Sequence, residues 1–131
     1  MLSWRPMPLP DDAIVIRGGV GAPETIAVNA QSTFDTDGFW GVSGFSAVGL
    51  SADEIAQLAY EQGRLPHPRI RTSTARRVRD AGFQIEETPD DYPHVDIFVP
   101  PDPSDEVCSH LADAFDDAIP NPALPNPAEA E

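Results

Sequence analysis

Residues 64–79, RLPHPRIRTSTARRVR, form the stretch around which the charges of the whole chain are arranged. This basic segment holds six of the eight positive side chains of a 131-residue protein, and all eight are arginine. The chain also contains 22 Asp and Glu residues, has a net charge of −14, and has no Arg or Lys after residue 85. Such a chain is expected either to bind a partner through the basic segment or to neutralise that segment internally.

The basic segment and its surroundings carry clear secondary-structure signals. Alternation over Arg69–Thr72 predicts a strand, and Ser73 is the predicted cap of a helix over 74–81. Before the segment, Ser51-Ala-Asp-Glu54 is a capping box that starts a predicted helix over 52–62. Further away, the pattern predicts strands over 13–17, 39–47, 83–87 and 94–99, and helices over 23–32 and 105–118.

These elements give the order β-α-β-α-β-α-β-β-α, which predicts one α+β or small α/β domain. We expect a mixed sheet of about five strands with three or four helices. The domain is expected to span 11–119, between a proline-rich N-terminal arm over 1–10 and a disordered, acidic, proline-rich tail over 120–131. Cys108 is the only cysteine, so no internal disulfide forms and a cytoplasmic location fits. No apolar run is long enough to cross a membrane, so no membrane partner is expected.

The basic segment is the first candidate binding surface. Arginine forks match phosphate and carboxylate groups with paired hydrogen bonds, and backbone N–H groups at a helix start attract anions. A protein partner, or an anion such as phosphate, is therefore expected at a face formed by Arg64, His67, Arg69, Arg71, Ser73, Arg76, Arg77 and Arg79. Nucleic acid is expected only at this face, because the rest of the chain is acidic.

Two other interpretations of the same arginines stay open. Arg76, Arg77 and Arg79 fall in the last turns of a short helix, where positive charge suits the helix dipole, and the others would pair with surplus carboxylates. Alternatively, the acidic C-terminal third, from Glu86 onward, would fold back on the basic segment and neutralise it or compete with a ligand.

Two histidines, His67 and His94, lie beside prolines that would fix their backbones. Together with Asp91 or Asp96 they would suit a metal ion or acid–base chemistry. Their spacing matches no metal-ligand motif, so no metal is expected and structural roles are favoured.

Three short segments occur in a suggestive order along the chain: Arg17-Gly-Gly, FWGVSGFS with Ser43 and Ser46, and Gln84-Ile-Glu86. In that order they resemble the Arg–Ser–Glu arrangement of ADP-ribosyltransferases. The resemblance implies NAD as the bound dinucleotide, with Arg17 anchoring phosphate or ribose. It also implies that Ser43 or Ser46 supports the site and that Glu86 is the catalytic carboxylate.

Residues 73–99 are similar to small RNA-cleaving toxins with a double-stranded-RNA-binding-like fold. They contain a short helix, Gly82-Phe83, a strand, and a histidine before another strand, and the resemblance implies that His94 is catalytic. Most of the chain, from AIVIRGG through WGVS, LPHPRIR and AGF to PHVDIFVP, resembles small uncharacterised proteins of high-GC bacteria. That wider resemblance implies no particular activity.

Two functional hypotheses follow. The favoured one is a non-enzymatic, cytoplasmic bacterial interaction protein without a cofactor, such as a toxin–antitoxin, defence or phage-related component, acting through the basic segment. The alternative is a small enzyme on nucleotide or nucleic-acid substrates, using Arg17, Ser43 and Glu86 or using His94. Convergence of Arg17, Ser43 and Glu86 in one cleft would favour the enzyme, and one exposed arginine patch would favour the binding protein.

Overall fold

A computed structural model describes residues 8–19 and 21–124 of the chain. The helices are α1 (Pro23–Asp37), α2 (Ala52–Glu61), α3 (Ala75–Asp80) and α4 (Asp105–Ala112). The strands are β1 (Ile14–Gly18), β2 (Gly41–Phe45), β3 (Arg69–Thr74), β4 (Gln84–Glu87), β5 (His94–Phe98) and β6 (Ile119–Pro120). The α+β class predicted from the sequence is confirmed.

The strands form one sheet in the order β4-β5-β2-β1-β3-β6, curved into a half-barrel. Every neighbouring pair described is antiparallel, so the sheet is not the mixed sheet that the sequence predicted. The β-α-β order misled that prediction, because α1 joins two antiparallel neighbours and is not the crossover of a parallel pair. The sixth strand comes from residues 119–120, at the edge of the predicted tail.

The two faces of the sheet are covered unequally. Helices α1, α3 and α4 pack on one face, around Val15, Val42 and Val95. Helix α2 packs on the other, around Ile16 and Ile70. Successive residues of a strand point to opposite faces. The side chains of β1 therefore alternate between the three-helix face and the α2 face.

The helix ends follow local chemistry, with two departures from the sequence prediction. The capping box of α2 is formed, with Ser51 accepting from the N–H of Glu54 and Glu54 accepting from the N–H of Ser51. Helix α3 is capped by Thr74, whose hydroxyl accepts from the N–H of Arg77, whereas the Ser73 hydroxyl donates to the carbonyl oxygen of Ala114. Helix α1 runs on to Asp37, where Gly38 adopts a left-handed conformation (φ 83°) that ends it.

The C-terminal segment belongs to the fold as far as it is described. Helix α4 ends at Ala112, earlier than predicted, and the chain then returns along β3. Asn121 is fully buried, and Ala123 packs against the α2 side of the core. Residues 120–124, which the sequence assigned to a disordered tail, are thus packed, while 125–131 and residues 1–7 of the predicted arm lie outside the described chain.

Cys108 of α4 is buried in the core of the three-helix face, and it is 1% exposed. Burial and the nearby charge of Asp105 raise the pKa of its thiol. Of the helices in the described ranges, none has the length and apolarity needed to span a bilayer.

Candidate functional site

A cleft opens in the sheet where β1 and β2 separate. The ladder between these strands consists of the single pair Ile16 and Phe45. The next pair in register, Gly18 opposite Ser43, is not formed. Side chains take its place: the N–H of Ser43 donates to Asn29 Oδ1 (3.0 Å), and Arg17 Nε donates to the carbonyl oxygen of Ser43 (2.9 Å).

Arg17 is the cation of this cleft. It lies on the three-helix face, where its Nη2 also donates to Asn29 Oδ1 of α1 (3.2 Å). Within the described chain, Arg17 hydrogen-bonds only to these neutral oxygens and pairs with no carboxylate. Two of its five N–H groups are used, and the remaining three include both hydrogens of Nη1. No buried side-chain nitrogen of the described residues lacks a partner, so Nη1 is not fully buried, and Arg17 lines the cleft.

A second arginine lies directly across the sheet from Arg17. Arg71 of β3 is its cross-strand partner, and like charges in that position repel. Burial, and then the charge of Arg71, lower the pKa of Arg17 to about 10. The side chain is still a cation at neutral pH, but its charged form is less stable here than in water.

Arg71 is itself held by carbonyl groups. Its Nε donates to the carbonyl oxygen of Asp116 (2.7 Å), its Nη2 to that of Phe115 (2.7 Å), and its Nη1 to that of Gly21 (3.2 Å). Gly21 has a positive φ of 65°, and a side chain there would collide with Arg71. Arg71 therefore joins the segment after α4 to the loop before α1, behind the lining of the cleft.

The cleft has a volume of about 410 Å³ and two chemically distinct ends. Arg17, Asn29 and Ser43 form the polar end. Phe45, Leu65 and the ring of His67 form the apolar end, toward the α2 face. Among the described lining residues there is no carboxylate, although the protein as a whole is strongly acidic.

The loop that carries His67 is fixed from outside the cleft. A side chain at Gly18 would overlap the His67 ring, so the ring lies directly over this residue. Asn121 Nδ2 donates to the carbonyl oxygens of Leu65 (3.1 Å) and His67 (3.0 Å), and the N–H of Asn121 donates to Pro68 (2.8 Å). These bonds hold Leu65 in a left-handed conformation (φ 57°) that a leucine adopts only under constraint.

One backbone donor also faces the cleft. The N–H of Gly19 donates to the carbonyl oxygen of Arg69 in β3 (2.8 Å). Because peptide groups alternate along a strand, the N–H of Gly18 is directed the other way, toward β2. It therefore lies on the cleft side of β1.

Most of the other arginines of the basic segment are paired with aspartates. Arg64 pairs with Asp91, Arg76 with Asp80 (3.5 Å), Arg77 with Asp116 (2.8 Å) and Arg79 with Asp11 (2.9 Å). These pairs point to internal neutralisation, and Asp91 and Asp116 come from the acidic C-terminal third, as one of the sequence hypotheses required.

The remaining residues of the predicted basic face have different surroundings. Arg69 is partly buried beside β6, opposite Pro120. Ser73 is 3% exposed, and its hydroxyl donates to the carbonyl oxygen of Ala114 (2.6 Å), so it faces the interior. His67 is exposed and lines the cleft. Of this predicted set, His67 lines the cleft and Arg71 lies behind its lining, against Gly21.

Arg17, Ser43 and Glu86 do not meet in one cleft. Ser43 is paired in register with Asp96, and Asp96 with Glu86. Cross-strand partners share a face of the sheet, so these three side chains form a row on the α2 face. Arg17 lies on the opposite face, beneath α1. Its guanidinium touches the backbone of Ser43, and the arrangement implied by ADP-ribosyltransferases is not assembled.

His94 lies in a polar cluster beside that row. Thr88 Oγ1 donates to Asp96 Oδ2 (2.8 Å) and lies 2.6 Å from His94 Nδ1. Because the hydroxyl has one hydrogen and a carboxylate only accepts, His94 Nδ1 carries the proton and donates to Thr88. Asp91 and Asp96 each lie 3.9 Å from Nδ1. The structure thus places His94 beside these aspartates, whereas His67 lines the cleft.

No group of three His, Cys, Asp or Glu residues in the described chain is placed to hold a metal ion. Comparison with family models, curated proteins and solved structures found no match. The geometry of the cleft therefore carries the functional argument alone.

Sequence reasoning missed Asn29, Phe45 and Asn121. Asn29 lies in the middle of a helix with no accompanying motif, and Asn121 lies in a proline-rich repeat that is typical of a tail. The one available signal was AIVIRGG followed by a helix. Its glycines, Gly18-Gly19-Val20-Gly21, lie between a strand and a helix, which is the sequence context of many phosphate sites.

Proposed function

We propose that this protein binds a small oxyanion in the cleft between β1 and β2, with Arg17 as its principal ligand. It is a binding protein in this proposal, in keeping with the non-enzymatic interaction role favoured by the sequence. The sequence predicts an anion at the basic segment. The proposed site is instead at Arg17, with His67 and Arg71 nearby.

The observation that carries the proposal is the unpaired charge of Arg17. In a chain with 22 acidic residues, this partly buried guanidinium has no carboxylate partner among the described residues and has Arg71 directly across the sheet. Burying a charge without a counter-ion is costly, and an anion bound at Nη1 would remove that cost.

The donors around Nη1 suit an oxyanion. Arg17 offers up to three N–H groups, and the N–H of Gly18 lies on the cleft side of β1. Hydrogen bonds from a guanidinium to a carboxylate or phosphate are short and roughly twice as strong as neutral ones. The chain's negative charge would slow the approach of an anion, so binding should depend on these local contacts.

The proposal is tested by titrating the whole chain with acetate, benzoate, phenyl phosphate and inorganic phosphate at low ionic strength. The readout is the change in amide chemical shifts, measured by NMR. Binding should shift the signals of Gly18 and Ser43, and Arg17→Gln should weaken it at least tenfold. Arg76→Gln is the matched control, because Arg76 is exposed and pairs with Asp80 away from the cleft. The proposal fails if no probe binds, or if Arg17→Gln binds as tightly as Arg76→Gln.

A further inference from the structure

We infer that the bound oxyanion is a carboxylate attached to a small, flat apolar group, most simply an arylcarboxylic acid. Its carboxylate would contact Arg17 and its ring would lie between Phe45 and Leu65, beneath His67. This inference rests on the proposed function and names the class of ligand that the same cleft takes.

The charge of the cleft favours a monoanion. Arg17 is the only arginine that lines it among the described residues. Arg71 stands behind the lining, and its Nε, Nη1 and Nη2 each donate to a carbonyl oxygen already. One guanidinium compensates one negative charge, whereas a phosphate monoester carries up to two at neutral pH.

The size of the cleft requires more than a bare ion. Its volume is about 410 Å³, which lies within the roughly 300–1,000 Å³ typical of small-molecule sites. A water molecule in the liquid takes about 30 Å³, and acetate or phosphate is only a few times larger. A bare ion at Arg17 would leave the other end of the cleft to solvent.

The apolar end supplies the surface for the rest of the ligand. Leu65 is 3% exposed and Phe45 is half-buried, with its ring edge-on to His94 at 5.7 Å between centroids. The His67 ring over Gly18 forms the third wall. Offset and edge-on contacts with Phe45 and His67 are the arrangements that aromatic rings prefer.

Hydrogen bonds within the chain hold this apolar end in place. Asn121, buried completely, holds the carbonyl groups of Leu65 and His67. The prolines on either side of His67 restrict its backbone further. A wall held in place lowers the entropy cost of binding, so a rigid aromatic ligand fits the cleft better than a flexible one. Asn121 is here a positioning residue.

The test compares matched probes on the whole chain by the same NMR titration: acetate against benzoate, and benzoate against phenyl phosphate. Benzoate should bind at least tenfold more tightly than either. Phe45→Leu should weaken benzoate binding more than acetate binding and so reduce this preference. Phe34→Leu is the control, because Phe34 is an exposed aromatic residue that stacks on Trp40 away from the cleft.

The outcomes separate this inference from the proposed function. Equal affinity for acetate and benzoate, or no effect of Phe45→Leu on benzoate, would overturn the apolar group. Tighter binding of phenyl phosphate than of benzoate would contradict the inference that the anionic group of the ligand is a carboxylate. In each of these cases the proposed function, anion binding at Arg17, would still hold if the Arg17→Gln variant no longer binds the anions. Failure of all four probes to bind would overturn both.

Discussion

Arg17 carries a positive charge that is partly buried, and its hydrogen-bond partners are neutral. Its guanidinium bonds one carbonyl oxygen and one amide oxygen, and its pKa is lowered to about 10 by burial and by Arg71. A base with a lowered pKa in the folded state destabilises the fold at every pH below that value. At neutral pH this residue therefore costs stability, and a counter-ion would restore part of it.

The variant Asn29→Asp tests this cost directly. The new carboxylate would accept the same two hydrogen bonds, from Arg17 Nη2 and the N–H of Ser43, and would add the missing negative charge. We expect the free energy of unfolding to rise by about 1 kcal/mol or more, since hydrogen bonds between charged groups are worth about 1.5–3 kcal/mol. Binding of acetate and benzoate should be lost at the same time.

Urea denaturation measures the first effect and the NMR titration the second. Asn29→Ala is the matched control: it removes the acceptor without supplying charge and should destabilise the protein. If the Asn29→Asp protein is less stable than the natural one and still binds benzoate, the idea that Arg17 needs a counter-ion is wrong.

At the scale of the elements, α2 shows how far local sequence can specify structure. Its capping box, its amphipathic pattern and its packing on the α2 face agree with one another. Its predicted bounds, 52–62, differ from the observed ones by one residue. Helices α1 and α4 were predicted less well, because distant packing contributes to where they end. The stack of Phe34 on Trp40 (4.6 Å between centroids) accompanies the longer α1.

We expect Ser51→Ala to lower the free energy of unfolding by about 1 kcal/mol, the usual cost of losing such a cap. The side-chain oxygen of Ser51 accepts from the N–H of Glu54 (3.2 Å), and alanine leaves that donor without its partner. Ser32→Ala, in the exposed middle of α1, is the control and should be neutral or slightly stabilising because alanine is the better helix former. Denaturation midpoints in urea would compare the two. Equal losses in both variants would show that the capping box contributes nothing specific.

For the whole molecule, excess negative charge outweighs the ion pairs on its surface. Arg64, Arg76, Arg77 and Arg79 are among the described residues that pair with aspartates at partly exposed positions, and such pairs contribute about 0–1 kcal/mol each. Against them stands a net charge of −14, which destabilises the folded state by self-repulsion. The carboxylates that return to the basic segment relieve only part of this repulsion.

The melting temperature should therefore rise with salt. Between about 0.01 and 0.1 M NaCl the screening length falls from roughly 30 to 10 Å. A gain of about 1 kcal/mol would raise the melting temperature by roughly 3–6 °C for a chain of this size. Replacing two exposed carboxylates, Asp37→Asn and Asp117→Asn, should raise it at low salt and shrink the salt effect. A melting temperature that falls with added salt would show that the ion pairs dominate.

The sequence by itself determined the α+β class, most strands and helices, and the bounds of α2 to within one residue. It could do so because capping, turn chemistry and alternation act over a few neighbouring residues. It also located the basic segment, and it left neutralisation of that segment by the acidic C-terminal third as one of several open interpretations.

Only the tertiary structure decided the sheet order and the cleft. Arg17 became a candidate ligand because the ladder between β1 and β2 stops after one pair, and its charge is unpaired because Asn29, not a carboxylate, meets it from α1. Asn121 and Leu65, 56 residues apart, meet only when the C-terminal segment returns past β3. Which face a residue occupies and which distant partner it lacks are properties of packing, and local patterns along the chain do not contain them.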